Sequence, residues 1–425
     1  MTSINHHENN QNFWQLASIQ TASLGVLGII ISKALADKYG PGAAIASILI
    51  GNLILWFIAF AIVSMAIKER RNAIENAEEY IGKFGTKLVA LISMTIFPIW
   101  YAIQIQSTTE PIDNSLFSDL THHEFTTSLY GIALGITIAF VASFRLIHII
   151  KRLTTIFLPI LISYYLYAIL SAKSSVSLAN GLEFSWPCML AYISFLFAGM
   201  VNLPTFFRHA RSKYDSYLAL TLMIIIIIFF QISSIWMSPG ILIGSLFETS
   251  INHPFFLSIL LKIANIAFSV MLLICTNLVN IYFSYPSWEF VIPKIKKYPK
   301  FLIIGLTGTA IYALIRIFPN IYNLINECAA VADDFIAILG ITLLLIFAVR
   351  IVVRHRPKPF EKIISTVSWI IGCIAIVIAI TQNSETPPLL VGIWTTILFF
   401  GVIIFIEEPF WSFKKLKEWL NRNSR

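Results

Sequence analysis

The sequence predicts an all-α polytopic membrane protein of about twelve transmembrane helices, and three observations predict it. Of 425 residues, 57% belong to the hydrophobic set and only 12% are charged, with a mean hydropathy of +0.78. An ordinary soluble domain carries about 25% charged residues because it must build a wetted surface. The apolar residues fall in runs of the length that crosses a bilayer, about 20 residues each. The basic residues lie between those runs in an alternating pattern. Together these exclude a soluble enzyme, a disordered chain and a disulfide-stapled secreted domain. The four cysteines, Cys188, Cys275, Cys328 and Cys373, sit far apart in apolar stretches without CxxC spacing, which predicts buried thiols and neither a metal site nor a disulfide.

The predicted spans are 13–35, 42–66, 86–107, 127–144, 148–170, 184–206, 216–237, 255–282, 300–318, 323–349, 363–381 and 389–407. Each is apolar most of the way round, the pattern of a membrane span and not of a surface helix. The first makes a poor signal peptide, since Met1 to Asn12 carries no Lys or Arg and no small-residue cleavage site follows. With both termini cytoplasmic, every inside segment is basic: Lys68, Arg70, Arg71, Lys83 and Lys87; Arg145, Lys151 and Arg152; Arg208, Arg211 and Lys213; Lys294, Lys296, Lys297 and Lys300; Arg350, Arg354, Arg356, Lys358 and Lys362; and Lys414, Lys415, Lys417, Arg422 and Arg425. The exceptions are Lys33, Lys38, Lys173, Lys262 and Arg316, while the outside loop after span 3 holds Glu110, Asp113, Asp119 and Glu124. A single missed span would scramble this alternation.

The organisation that follows is a cytoplasmic tail over 1–12, one membrane domain over 13–407, and a basic cytoplasmic tail over 408–425, in the inner or plasma membrane. Basic residues spread over six segments form no nucleic-acid surface. They set topology and meet anionic lipid head groups. The longest connections, 67–85 and 108–126, are under 20 residues each and leave no room for a soluble catalytic domain.

Interruptions and polar residues inside spans point to a site. Span 6 carries Ala198, Gly199, Asn202 and Pro204; span 1 carries Ser18, Gln20, Thr21 and Ser23 before Gly25 and Gly28. Breaks five spans apart fit two inverted five-span repeats plus two extra helices, although glycine also serves ordinary helix packing. Span 3 places Trp100 and Gln104 on one helix face, an indole to stack on a flat ring and an amide to read its edge. Span 8 holds Cys275, Thr276, Asn277 and Asn280. Charged residues within spans are Lys262 in span 8 and Glu327, Asp333 and Asp334 in span 10. Asp333 and Asp334 read either as proton-titrated carboxylates or as ion-paired ones, with Arg316 or Lys262 as partner.

These motifs resemble the nucleobase:cation symporter-1 family, which includes cytosine, hydantoin and allantoin permeases. Asn202-Leu203-Pro204-Thr205-Phe206-Phe207-Arg208 is similar to that family's Asn-Ile-Pro-Asp-Phe-Thr-Arg segment, and Gly51-Asn52-Leu53 resembles its Gly-Asn-Leu signature. Trp14 through Leu24, and Thr276-Asn277 with Asn280, resemble its first and eighth spans. The resemblance runs from span 1 to span 8; beyond span 9 only the hydropathy pattern continues. It implies a LeuT-like fold with substrate between spans 1, 3, 6 and 8. Trp100 would stack on one face of the substrate and Phe195 lie near the other, beside Gly199. Gln20, Gln104, Asn277 and Asn280 would read its polar edges. A bound Na+, the one non-protein component implied, would take the carbonyls of Leu16 and Ile19 and the hydroxyl of Thr276. Two departures bear on the cation: Thr205 stands where the family usually has Asp, and Cys275 stands where a sodium-ligating hydroxyl is expected. A proton carried by Asp333 or Asp334 is the alternative. The expected function is symport of a nucleobase or related small planar solute with Na+ or H+, with no catalytic residues. The rivals are an amino-acid permease of the same fold, a diverged member with another solute, and, from a different class, a membrane-embedded enzyme or receptor.

Overall fold

The computed structural model describes residues 11–116, 123–144, 146–171, 181–236, 255–353, 359–384 and 386–407. They form thirteen helices: α1 (Phe13–Tyr39), α2 (Pro41–Glu69), α3 (Ala73–Leu116), α4 (His123–Ala142), α5 (Leu146–Ser171), α6 (Trp186–Val201), α7 (Pro204–Phe207), α8 (Lys213–Trp236), α9 (Phe255–Val291), α10 (Lys297–Ile317), α11 (Ile321–Val353), α12 (Pro359–Thr381) and α13 (Pro388–Glu407). Among the described residues there is no strand, and nine helical stretches are long and apolar enough to cross a membrane. A helix stands at each of the twelve predicted spans, with α6 and α7 together forming span 6. The chain is a polytopic all-α membrane protein. The two termini, 1–10 and 408–425, lie outside the described residues.

The packing follows the two-repeat logic. With span n of the first repeat matched to span n+5, contact between spans 1 and 7 (α1 with α8) has its counterpart in spans 6 and 2 (α6 with α2). Contact between spans 1 and 5 has its counterpart in spans 6 and 10, and contact between spans 3 and 10 in spans 8 and 5. Spans 3 and 8 pack on each other, as do 4 and 9, each pair its own counterpart. The last two helices, α12 and α13, pack mainly together and against α3 and α11.

Three elements differ from the sequence expectation. Span 1 is not broken: α1 is one continuous helix of 27 residues. It contains no proline, and one of its polar residues, Ser18, donates its hydroxyl back to the Trp14 carbonyl at 2.7 Å, within the helix. Span 6 does break, at Asn202-Leu203, because Pro204 has no N–H and its ring clashes with the preceding turn. The segment before span 3 is not a loop. Residues 73–81 are helical up to Gly82, whose φ of 70° bends the chain into the span proper. Asn72 and Glu75 cap it reciprocally, and Ile74, Ala77, Tyr80 and Ile81 form its buried stripe. Span 8 also runs on to Val291, burying Tyr285 and Trp288. Cys188, Cys275 and Cys373 are buried as expected, but Cys328 is exposed, on the first turns of α11 where that helix stands clear of its neighbours.

The Gly51-Asn52 pair on α2 is a socket for Tyr192 of α6. A Cβ on Gly51 would lie 2.4 Å from the Tyr192 ring, so only glycine admits that contact. The Asn52 amide donates to the Tyr192 hydroxyl, to Gln231 Oε1 of α8 at 3.0 Å and to the Ile48 carbonyl at 2.9 Å. The Tyr192 hydroxyl donates to Gln231 Oε1 at 2.6 Å. Three spans are thus joined by one buried polar knot. Gly51→Ala forces the ring from a fully buried position, an overpacking cost of about 1–3 kcal/mol. A melting temperature measured in detergent should fall by several degrees. At Gly199, where an added Cβ meets nothing within 4 Å, the same substitution should leave it unchanged.

Candidate functional site

α3 and α9 lie side by side and bring three predicted edge-reading amides into one buried cluster. Asn280 Nδ2 donates to Gln104 Oε1 at 3.0 Å and to Asn277 Oδ1 at 3.2 Å, and Asn277 Nδ2 reaches the Tyr101 carbonyl at 3.4 Å. All three side chains are buried. Buried amides persist only when paired, so the cluster holds these groups at fixed positions.

Trp100 lies one turn from Gln104 on α3 and is half-buried. Its indole N–H donates to Asp333 Oδ2 of α11 at 3.0 Å. The next residue, Asp334, accepts from the Ser194 hydroxyl of α6 at 2.9 Å. Consecutive helical residues point about 100° apart, so one carboxylate turns to α3 and the other to α6. No ion pair among the described residues includes either carboxylate. Arg316, one of the two cations expected as a partner, donates instead to Ser128 at 3.0 Å. The side chain of Lys262, the other, lies outside the described residues. Ser194, which holds Asp334, had no role assigned from sequence; its only signal is its place one residue before Phe195.

The remaining predicted residues are distributed as follows. Gly199 borders open room on α6. Phe195 is on α6 beside Ser194, and its side chain lies outside the described residues. Gln20 is buried on α1, which packs against α5, α8 and α9. Leu16 and Ile19 are fully buried, and in an unbroken helix their carbonyls belong to the i→i−4 ladder. The Thr276 hydroxyl donates to its own helix at the Leu272 carbonyl, 2.7 Å away.

At the end of the bundle that carries the basic loops, the chain is locked across spans. Gln11 N–H donates to the His209 carbonyl at 2.8 Å, and Arg211 N–H to the Gln11 carbonyl at 2.9 Å, a short parallel bridge before α1. Arg208 lies 3.7 Å from Glu75 of the 73–81 helix. The Thr205 hydroxyl accepts from Ala73 N–H at 3.5 Å. The Phe206 ring stacks on Tyr282 of α9 with centroids 4.6 Å apart, and His209 Nε2 hydrogen-bonds the Tyr282 hydroxyl at 2.8 Å. Burial first, and then the neighbouring Arg208, Lys297 and Arg70, push the His209 imidazole down to about 3. No His/Cys/Asp/Glu cluster of metal-binding size occurs among the described residues.

No protein-family model and no curated protein sequence matches the chain. Solved structures match along nearly its whole length. One is Mhp1, a nucleobase-cation-symport-1 family transporter in a closed conformation with bromovinylhydantoin bound, at 16% identity and a TM-score of 0.63, covering 96% of this chain and 95% of that one. A second is a Na+-coupled sialic acid symporter in a substrate-bound outward-open state, at 12% identity and a TM-score of 0.58, covering 93% and 90%. A third is a mutant of the manganese transporter of Eremococcus coleocola, at 11% identity and a TM-score of 0.56, covering 96% and 94%. The chain has the LeuT fold.

His209 yields a signed prediction. Its folded-state value near 3 lies below the ordinary value of 6.5, so between those limits the unfolded chain holds a proton that the folded chain does not. Stability therefore falls as pH drops through that window. At pH 5 the loss attributable to this residue is about 1–2 kcal/mol. Melting temperatures at pH 7.5 and pH 5 should show His209→Gln losing less than wild type on acidification.

Proposed function

We propose that this chain is a secondary-active permease that imports a nucleobase or related small planar nitrogenous solute by alternating access, coupled to H+ in preference to Na+. The observation that carries this reading is the hydrogen bond from Trp100 to Asp333. It joins an aromatic surface suited to a flat ring with an acid inside the membrane domain, and it lies one turn from the Gln104–Asn280–Asn277 cluster. The ring would stack on the indole. The amides would read its donor and acceptor edge, as Asn and Gln do for bases. The open room at Gly199 would let the solute approach the span 6 backbone.

Coupling follows from the same pair. A carboxylate within a span is costly unless it is paired or does work, and taking up a proton removes its charge. Protonation of Asp333 or Asp334 changes what Trp100 and Ser194 donate to, and so couples charge to the arrangement of α3 and α6 around α11. The sodium alternative draws less support. Leu16 and Ile19 would have to release carbonyls from a continuous helix, Thr276 would have to leave Leu272, and Cys275 supplies a soft thiol where a hard cation wants oxygen. The structural neighbours support transport as such: one is Mhp1 with bromovinylhydantoin bound, and the others are a manganese transporter and a sialic acid symporter. The site is assigned to an inner- or plasma-membrane protein whose basic loops face the cytoplasm.

Uptake of radiolabelled nucleobases, hydantoins and amino acids into proteoliposomes, under an imposed H+ or Na+ gradient, tests the proposal. A planar solute should accumulate on the H+ gradient. Trp100→Ala should cut uptake efficiency roughly 10- to 100-fold, the worth of one lost stacking contact. Asp333→Asn should abolish gradient-driven accumulation while leaving exchange of labelled for unlabelled solute. Failure of every planar solute to accumulate overturns the substrate class. Full accumulation on Na+ alone by Asp333→Asn overturns the coupling.

A further inference from the structure

A second site lies away from the Trp100 region, at the basic end of the bundle. The turn between α4 and α5, the first turns of α5 and the start of α10 border an open-sided cavity of about 620 Å³ lined by Ser143, Phe144, His148, Ile149, Arg152 and Tyr298. Its walls divide by chemistry. Phe144, Ile149 and the Tyr298 ring form the apolar part, and His148 and Arg152, both exposed, form the basic part. Among the described residues no acidic one lines it.

Next to the cavity, Phe140 and Phe144 stand edge to face with centroids 4.9 Å apart, and each is 56% exposed on the outer flank of α4. Ser143 ties the turn that carries them by donating its hydroxyl to the Phe140 carbonyl at 2.6 Å. The aromatic pair is therefore held outward, one turn from a cationic pocket. A membrane protein places such a junction where hydrocarbon meets head groups.

We propose that this cavity binds one anionic phospholipid of the basic-side leaflet, with its phosphodiester at Arg152 and His148 and an acyl chain along Phe140 and Phe144. Three features commit it to that occupant. The charge is complementary and unopposed: a guanidinium and an imidazole meet a phosphate, with no carboxylate to repel it. The volume and the apolar wall exceed what inorganic phosphate needs and match an amphiphile. The continuation onto the exposed Phe140–Phe144 pair leads toward the lipid-facing surface and away from bulk water. The inference does not depend on the solute or coupling ion proposed above.

Native mass spectrometry of the full-length protein released from detergent, with added phosphatidylglycerol, phosphatidylcholine or inorganic phosphate, provides the test. Wild type should retain a discrete phosphatidylglycerol adduct that phosphatidylcholine does not reproduce. The R152Q/H148Q double variant should lose it by about five-fold or more, the order expected for removing one full basic charge from an anionic interface. R152K, which keeps the charge, should retain most of it and serves as the readout should the double variant fail to fold. K294Q/K296Q, which removes two exposed lysines that do not line the cavity, should leave it unchanged. The proposal is overturned if the double variant or, where only that is measurable, R152K behaves contrary to this order. It is equally overturned if K294Q/K296Q loses as much, if phosphatidylcholine binds equally, or if inorganic phosphate displaces the lipid mole for mole.

Discussion

Two adjacent carboxylates on one membrane helix set the condition that the centre of this protein has to meet. An ionisable group within a membrane span must find a partner, and side chains one residue apart on a helix point about 100° apart. Asp333 takes its partner from α3 and Asp334 takes its partner from α6. α11 is thereby tied to a helix of each repeat, and on α3 the tie lies one turn from the amide cluster. Among the described residues the donors are a neutral indole and a neutral hydroxyl, so the contacts described hold the two acids in place without a countercharge.

The spans were legible in the sequence because hydropathy is a local signal repeated over twenty residues, and the basic loops supplied an independent count. The repeat is inferred from paired breaks in spans 1 and 6, of which only the proline-containing one in span 6 is present; its support is the mirrored packing of spans 1 with 7 and 6 with 2, which no local pattern encodes. Span 1 shows the limit of reading polarity as a break. One of its polar residues, Ser18, satisfies itself on the preceding turn, so polarity there is compatible with an unbroken helix. The 73–81 helix was hidden for the opposite reason: its apolar stripe of four residues is too short to stand out in a charge-rich connection, and it becomes a helix by packing onto the bundle.

For the site, the residue types were readable and their pairings were not. Trp100 and Asp333 are 233 positions apart, and nothing near either one announces the other. Some resemblances also changed meaning once placed in space. Gly51-Asn52, which resembles a family signature, is a packing socket for Tyr192. Thr205, which departs from the family's acid, accepts from the first residue of the 73–81 helix and so belongs to the lock at the basic end. Arg208, the last residue of the family-like segment, and His209 after it join that lock with Glu75 and Tyr282.

The stitch before α1 has a consequence for how this protein can change over generations. Gln11 is joined to the segment after α7 through main-chain atoms on both sides, N–H to carbonyl and carbonyl to N–H. Such bonds are indifferent to side-chain identity, so positions 11, 209 and 211 can drift without cutting the tie, and only an imino acid at 11 or 211 removes a donor. The side-chain members of the same lock enjoy no such latitude. Selection acting on this end of the molecule would therefore be visible at Glu75, Arg208 and Tyr282 while the strongest tie left no trace in the alphabet at all.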